Sequence, residues 1–503
     1  MRYLVISFLS IVATTNAAVP SVTSFFPPGG QRGSKVTVTL TGKVAPWPPV
    51  VWTRESDLNI RPLKKSGQLE VTIAKDAVPG LRMIRIANAE GASDLRPFLI
   101  GTLKEINEKE SNNDFRQPMK LDETMLTVNG QLSPRGDVDC FSLPLKKGQT
   151  LVASVTANEQ LASPMDAVLQ VLDEKGFVVQ RNHDFHGLDP QLTFTAPRDG
   201  RYVIRLFCFP ASPNSTIGFA GGADYVYRLT MTTGPYLEQV TPLAIQKPSD
   251  VLSPIGWNLP SGMKLSVDSK TGAVYSPTGA SSAKVLLDSH PCLSEEMARS
   301  RALSLPVTIS GRIEEKSEID AFRIQATAKQ RYVIQVDGPD LRSPIDPLLT
   351  VLDDTGKEIL RSDDRGSRRT GPRDVLANWT APKTGTFTVQ VRDLYEHGGR
   401  LYFYRLRITK AEPDFALSVK SDRFTTKVGK PLEIPITISR LNRSKQAITL
   451  TAEGLPKTVM VMPVTSTGKT AKLKITASQP LSVPFRILGG GKSTGDLWLT
   501  VTK

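Results

Sequence analysis

SPMDAVLQVLDEKG, residues Ser163 to Gly176, returns as SPIDPLLTVLDDTG at Ser343 to Gly356, identical at 8 of 14 positions. Each copy reads as a turn, a buried strand and a second turn. The flanking signals recur in the same order: Gly130 and Gly311, Asp139 with Phe141 and Asp320 with Phe322, then APRDGRYVIRL from Ala196 and APKTGTFTVQV from Ala381. YVYRLTM from Tyr225 and YFYRLRI from Tyr402 close the series. Such an ordered set predicts a duplicated all-β module about 110 to 125 residues long, with other units before, between and after its copies.

Toward the N-terminal side, Met1-Arg2 precedes an almost wholly apolar Leu4 to Val12, and Thr15-Asn16-Ala17 offers small residues where a signal peptidase cuts. This predicts a secretory signal peptide over 1–17. The mature chain is expected to be secreted, periplasmic or at the cell surface. No later stretch approaches the roughly 18 to 20 apolar residues of a membrane span. Export permits disulfides, but the chain has three cysteines, Cys140, Cys208 and Cys292, which cannot all pair within one chain. If Phe141 and Leu143 face inward, Cys140 points outward, whereas Cys208 follows Tyr202, Ile204 and Leu206 on the inward face. The two read either as a disulfide or as small apolar fillers.

The net charge of +14 is uneven: residues 18–101 hold 11 Lys/Arg against 6 Asp/Glu, and residues 414–503 hold 14 against 5. The repeats are near neutral and the two ends are basic. In the last unit Lys469, Lys472 and Lys474 fall along one predicted strand, which implies a positive field on part of one sheet face, attractive to anionic polymers. Nucleic acid is not expected, because neither end carries an RNA-type aromatic motif or a reading helix.

From Pro20 to Gly42 the chain reads strand, Pro/Gly turn, then strict alternation over Lys35-Val36-Thr37-Val38-Thr39-Leu40, the period of a half-buried strand. Further strands are expected at Pro49 to Thr53, Gln68 to Ala74 and Met83 to Asn88. The Pro-Gly-Gly turn, alternating strand and closing Gly resemble the IPT/TIG type of immunoglobulin-like domain, here 18–101. Residues 102–234 resemble the bacterial pre-peptidase C-terminal (PPC) domain, a jelly-roll-like β-sandwich. They do so through Glu110-Ser-Asn112-Asn113-Asp114, Gly130, Gly136 to Phe141, Met165-Asp166, Asp173 and Ala196-Pro197 to Tyr202. Two features depart from that pattern, Cys140 at an aromatic position and a Gly/Pro-rich insertion from Pro210 to Gly222. Residues 235–288 echo the Pro20 segment as a shortened IPT-like unit, and 289–411 form the second PPC-like repeat, with one short helix expected between Ser289 and Ser304. Residues 412–503 resemble the immunoglobulin-like domains that follow such repeats in planctomycete-type surface proteins. The expected fold class is therefore all-β, with tandem β-sandwich domains: two jelly-roll-like PPC repeats plus Ig-like units.

Catalytic signals are sparse. Four histidines occur, and there is no HExxH. His183-Asp184-Phe185-His186 could offer zinc two imidazoles and a carboxylate but reads as a solvated turn. Gly489-Gly490-Gly491-Lys492-Ser493 reads as a hairpin, because a strand follows where a phosphate loop needs a helix. Asp166, Asp173, Asp346 and Asp353 read as turn residues that accept from nearby amides. Arg135-Gly136-Asp137 spells an adhesive tripeptide common by chance, and Asp363-Asp364-Arg365-Gly366 with the basic run to Arg373 reads as a solvated loop.

Calcium is the one cofactor these residues point to. The ion takes about six to eight oxygen ligands gathered from more than one segment. Glu108, Glu110, Asn112, Asn113 and Asp114 concentrate such oxygens before the first strand of repeat one, and Ser133, Asp137 and Asp139 supply a second group. The resemblance adds calcium-binding relatives among bacterial collagen-binding domains. In repeat two Asp320 matches Asp139, but the lead-in reads Ser294-Glu-Glu-Met-Ala-Arg-Ser-Arg301, with no Glu-x-Asn-Asn. Equal binding is not expected there. The resemblance implies a non-enzymatic adhesion scaffold for extracellular protein or polysaccharide; the alternative is a secreted hydrolase using an unrecognised carboxylate pair.

Overall fold

The structure, a computed structural model, describes residues 18–212, 218–363 and 374–503. The signal segment 1–17, the centre of the 210–222 insertion and the Asp364 to Arg373 run lie outside these residues. The regular structure of the described chain is almost entirely strand, and no helix in it is long and apolar enough to cross a membrane.

The two repeats fold alike. In the first, one sheet has the order Lys104–Asn107, Leu126–Gln131, Val226–Thr232, Thr150–Thr156, Gln191–Thr195. It faces a second of order Met119–Lys120, Asp139–Leu145, Gly200–Pro210, Met165–Leu172, Val178–Asn182. The second repeat gives the same two orders, from Cys292–Ser294 to Val375–Thr380 and from Leu303–Ser304 to Glu358–Ser362. The stretch quoted first supplies the central strands Met165–Leu172 and Pro347–Leu352, each buried between neighbours. In both repeats the lead-in segment adds a short parallel strand to the edge of each sheet.

Phe322, Ile324 and Ala326 alternate inward along Asp320–Ala326, as a sheet with one wet face requires. The matching Asp139–Leu145 is buried on both faces, because its lead-in lies across the outer side. Cys140 therefore does not point into solvent: it is fully buried in a small outer cluster with Leu172 and Val203, against Phe115 and Val138. Cys208 sits in the main core, and all three cysteines are free. Burial pushes the Cys140 and Cys208 thiols up to about 12, consistent with apolar fillers. The expected helix between Ser289 and Ser304 shrinks to Glu295–Arg299, capped by Ser294. Single helical turns at Asn158–Leu161 and Pro339–Leu341 carry no periodic signal and escape a reading by pattern.

Residues 18–101 and 412–503 each form two facing sheets around their own core. Residues 235–288 make only two-stranded sheets around Leu237, Val240, Ile245, Val274 and Val285. This small unit is a junction. Glu238, 6% exposed, accepts from Gln191 of the first repeat (3.1 Å), from Trp257 (2.7 Å) and from Arg400 of the second (2.6 Å). Tyr275 reaches back to Pro79 O at 3.1 Å. The first and last units also meet directly. Trp52 stands edge-on to Trp498 at 6.0 Å, Arg54 bonds Asp496 at 2.7 Å, and the buried Arg85 pairs with Asp422. The succession of sandwiches thus closes on itself.

Candidate metal centre

Parallel pairing of Lys104–Asn107 with Leu126–Gln131 brings Glu108 opposite Gly130. The Glu108 amide donates to Asn129 O at 3.0 Å, and its Oε1 accepts from the Gln131 amide at 2.6 Å. A Cβ on Gly130 would lie 2.1 Å from Cζ of Tyr227, so glycine is what lets that ring come in. The Tyr227 hydroxyl consequently reaches Glu108 Oε2 (2.9 Å) and Asp139 Oδ2 (2.6 Å). One O–H proton serves one acceptor at a time, so the other contact calls for a further proton or a cation.

Glu108, Glu110 and Asp139 place carboxylate oxygens within 4.8 Å of one another. Asp139 is fully buried, and its Oδ1 has no hydrogen-bond partner. Asn112, 1% exposed, is tied by its backbone to Glu110 and Cys140, while its side-chain Oδ1 and Nδ2 are both unpartnered. Burial pushes the Glu108 carboxyl up to about 7 and Asp139 well above the usual carboxylate range, each raised further by a neighbouring acid. Glu110 is raised as well, first by burial and then by the charge of Asp137.

The remaining expected ligands lie near this nest with other duties. Asp137 accepts from the Ser133 amide (2.7 Å), the Val138 amide (2.9 Å) and Asn113 Nδ2 (2.6 Å), so it organises the loop. Ser133 contributes to that bonding through its backbone. Asp114 turns away: half exposed, it accepts from the Arg116 amide at 2.9 Å.

The second repeat builds the same nest and fills it. Glu295 accepts from the Arg312 amide at 2.9 Å as Glu108 does from Gln131, Tyr404 donates to Asp320, and Glu318 accepts from the Glu315 amide at 3.0 Å in the place of Asp137. Into the middle reaches Arg299, which pairs with Asp320, with Glu295 at 3.2 Å and with Glu318 at 3.6 Å. Burial pushes Asp320 up to about 7, and the Tyr404 hydroxyl and Arg299 pull against it. The first nest offers all-oxygen donors with orphaned buried oxygens, where its counterpart holds a guanidinium. Those residues fit a hard cation such as calcium.

Sequence reading missed Tyr227, Tyr404 and Arg299. The repeated YVYRLTM and YFYRLRI were visible as strands, and their second tyrosine was the available signal. Elsewhere, His183 is exposed beside Asp184 at 3.3 Å, while burial lowers His186 to about 4. Among the described residues neither histidine joins a metal-ligand cluster. Lys492 closes a hairpin and pairs with Asp414 at 2.6 Å. Asp173 and Asp353 each accept from turn amides two and four residues on.

Comparison with known proteins matches residues 318–393 to the family described as bacterial pre-peptidase C-terminal domain. A probable subtilase-type serine protease of Deinococcus radiodurans is 28% identical over 124 residues, 24% of this chain and 16% of that protein. The chain thus spans about a sixth of that curated relative's length. Among solved structures, the pre-peptidase C-terminal domain of a Bacillus anthracis collagenase is 15% identical, covering 24% of this chain and 96% of that one, with a TM-score of 0.17. Domains 4 and 5 of the S-layer protein SbsC are also 15% identical, covering 31% of this chain and 99% of that one, with a TM-score of 0.17.

Proposed function

We propose that this is a non-enzymatic scaffold of the secreted or cell-surface kind, whose first repeat is locked by calcium and whose outer faces engage extracellular protein or polysaccharide. The nest of Glu108, Glu110, Asn112 and Asp139 carries the calcium reading: its twin in repeat two is built around the positive charge of Arg299. The bound ion would neutralise carboxylates that burial otherwise disfavours. Glu108 and Glu110 would hold it from the lead-in, Asp139 from the sandwich, and Tyr227 would orient two of the three carboxylates. That joins linker to domain. A hydrolase using Glu108 and Asp139 is disfavoured by the complete burial of Asp139 and Tyr227, which keeps a substrate from the pair. Lys472 and Lys474 project from the exposed side of Thr470–Ala477, supporting an anionic polymer as partner of the last unit.

The test is melting of the mature protein with calcium and with chelator. Calcium at a hundredfold excess over its dissociation constant should stabilise the first repeat by about 2.7 kcal/mol, and Asp139→Asn should remove the effect. The ion competes with protons on Glu108 and Asp139. Without calcium, their raised values give stability present below about pH 4 and lost as pH rises, through about 7 for Glu108, with burial shifting Asp139 in the same direction. The calcium-dependent increment should therefore grow from pH 5 to pH 8. An increment absent at pH 8 would overturn the calcium reading, and substrate turnover abolished by Asp139→Asn would overturn the scaffold.

A further inference from the structure

Each repeat has a second polar junction, where the strand Thr150–Thr156 or Arg331–Asp337 runs into a single helical turn. In the first repeat Asp189 satisfies this turn completely. Its Oδ2 accepts from the Ala157 and Glu159 amides at 3.0 and 3.2 Å, and its Oδ1 from the Asn158 amide at 2.7 Å. Asp374 holds the equivalent place in the second repeat and is fully buried. Its Oδ1 accepts from the Gly338 amide at 2.7 Å, but Pro339 stands where the first repeat has Asn158. Proline has no N–H to give. Asp374 Oδ2 is left without a hydrogen-bond partner.

Two further acids gather at the same point. Asp337 pairs across the sheet with Arg405, as Thr156 pairs with Arg228, and Asp340 takes the turn position of Glu159. Carboxylate oxygens of Asp337, Asp340 and Asp374 lie within 4.8 Å of one another. Among the described residues Arg405 faces Asp337, with Nη2 at 2.7 Å and Nε at 3.1 Å from Asp337 Oδ2, and Gln335 donates to Asp337 Oδ1 at 2.6 Å. Three carboxylates gather here with a fully buried Asp374 oxygen facing no donor, an arrangement of oxygens that suits a cation. Asp340 is exposed, which leaves it open to an incoming ion.

We propose that Asp337, Asp340 and Asp374 form a second cation site, separate from the first-repeat nest, that takes a hard divalent ion of the calcium type. Calcium tolerates an irregular set of oxygens completed by water. The second repeat would thus have exchanged a cation site at its lead-in, now filled by Arg299, for one at its helical turn.

Calcium titration by calorimetry on the full mature chain tests this with four proteins. The unaltered chain should bind two ions and Asp340→Asn one, since the amide removes a charge at an exposed position without touching the amides that hold Asp374. Pro339→Asn returns the missing N–H to Asp374 and should weaken the same ion at least tenfold while keeping the fold. Asp139→Asn removes the first-repeat ion alone, so failure of either site is seen separately. An ion count unchanged by both Asp340→Asn and Pro339→Asn, as when Asp340 and Asp374 merely share a proton, would overturn the proposal.

Discussion

Arg299→Ala is expected to lower the stability of the second repeat by about 2 to 3 kcal/mol. The substitution strips the cation that, among the described residues, pairs with Glu295, Glu318 and the fully buried Asp320. Removing one partner of a fully buried pair costs roughly 3–5 kcal/mol; the expected value is lower because the guanidinium is 42% exposed and water screens part of the loss. Two companions separate charge from packing. Asp320→Asn on top of Arg299→Ala should recover most of the loss, and millimolar calcium should partly rescue the single variant, since it recreates the cation-hungry arrangement of the first repeat. A melting transition of Arg299→Ala that neither responds to calcium nor improves with Asp320→Asn would mean that Arg299 only packs.

Trp498→Ala should cost still more, about 3 to 5 kcal/mol, the range for deleting a buried tryptophan. Trp498 is 1% exposed, packs edge-on to Trp52 and against Ala87 and Ala92, and donates through Nε1 to Ser482 at 2.9 Å. Part of that loss belongs to the last sandwich and part to its contact with the first. Trp52→Ala, made on the other partner, isolates the contact. Both variants should raise the radius of gyration in small-angle scattering and the rate of proteolysis around the Arg85–Asp422 pair. Unchanged dimensions in both would mean that the end units stay joined without the aromatic contact.

The architecture was legible where physics is local and repetitive. Alternation over Lys35 to Leu40 and the twice-written SPxD…VLD…G mark strands and turns that need only their immediate neighbours. The site was legible in its acids and not in its partners. Glu108, Glu110 and Asp139 stand in sequence as a cluster of oxygens, yet Asp137 beside them spends its oxygens on loop amides, which spacing does not reveal. Arg299 and Arg301 look equivalent on paper. Only the turn begun by Ser294 decides that position 299 faces Glu295, four residues back. Contacts such as Arg85 with Asp422 join segments more than three hundred residues apart and leave no periodic trace.

The parallel lead-in strands have a consequence for self-association. Lys104–Asn107 and Met119–Lys120 lie on the outer strands of two sheets and take up hydrogen-bonding groups that would otherwise face solvent. Glu108 and Glu110 follow directly on the first of these strands, so whatever holds their charges also holds the cover in place. If the lead-in peels away, Leu126–Gln131 is left as an open edge, the form in which a sheet most readily pairs with a strand from another molecule. In the second repeat the same cover is pinned by Arg299, a side chain that no chelator can extract. If the first nest holds calcium as proposed, the two halves of the duplication should differ in what uncovers that edge: cation depletion in the first, and in the second loss of the Arg299 pairing.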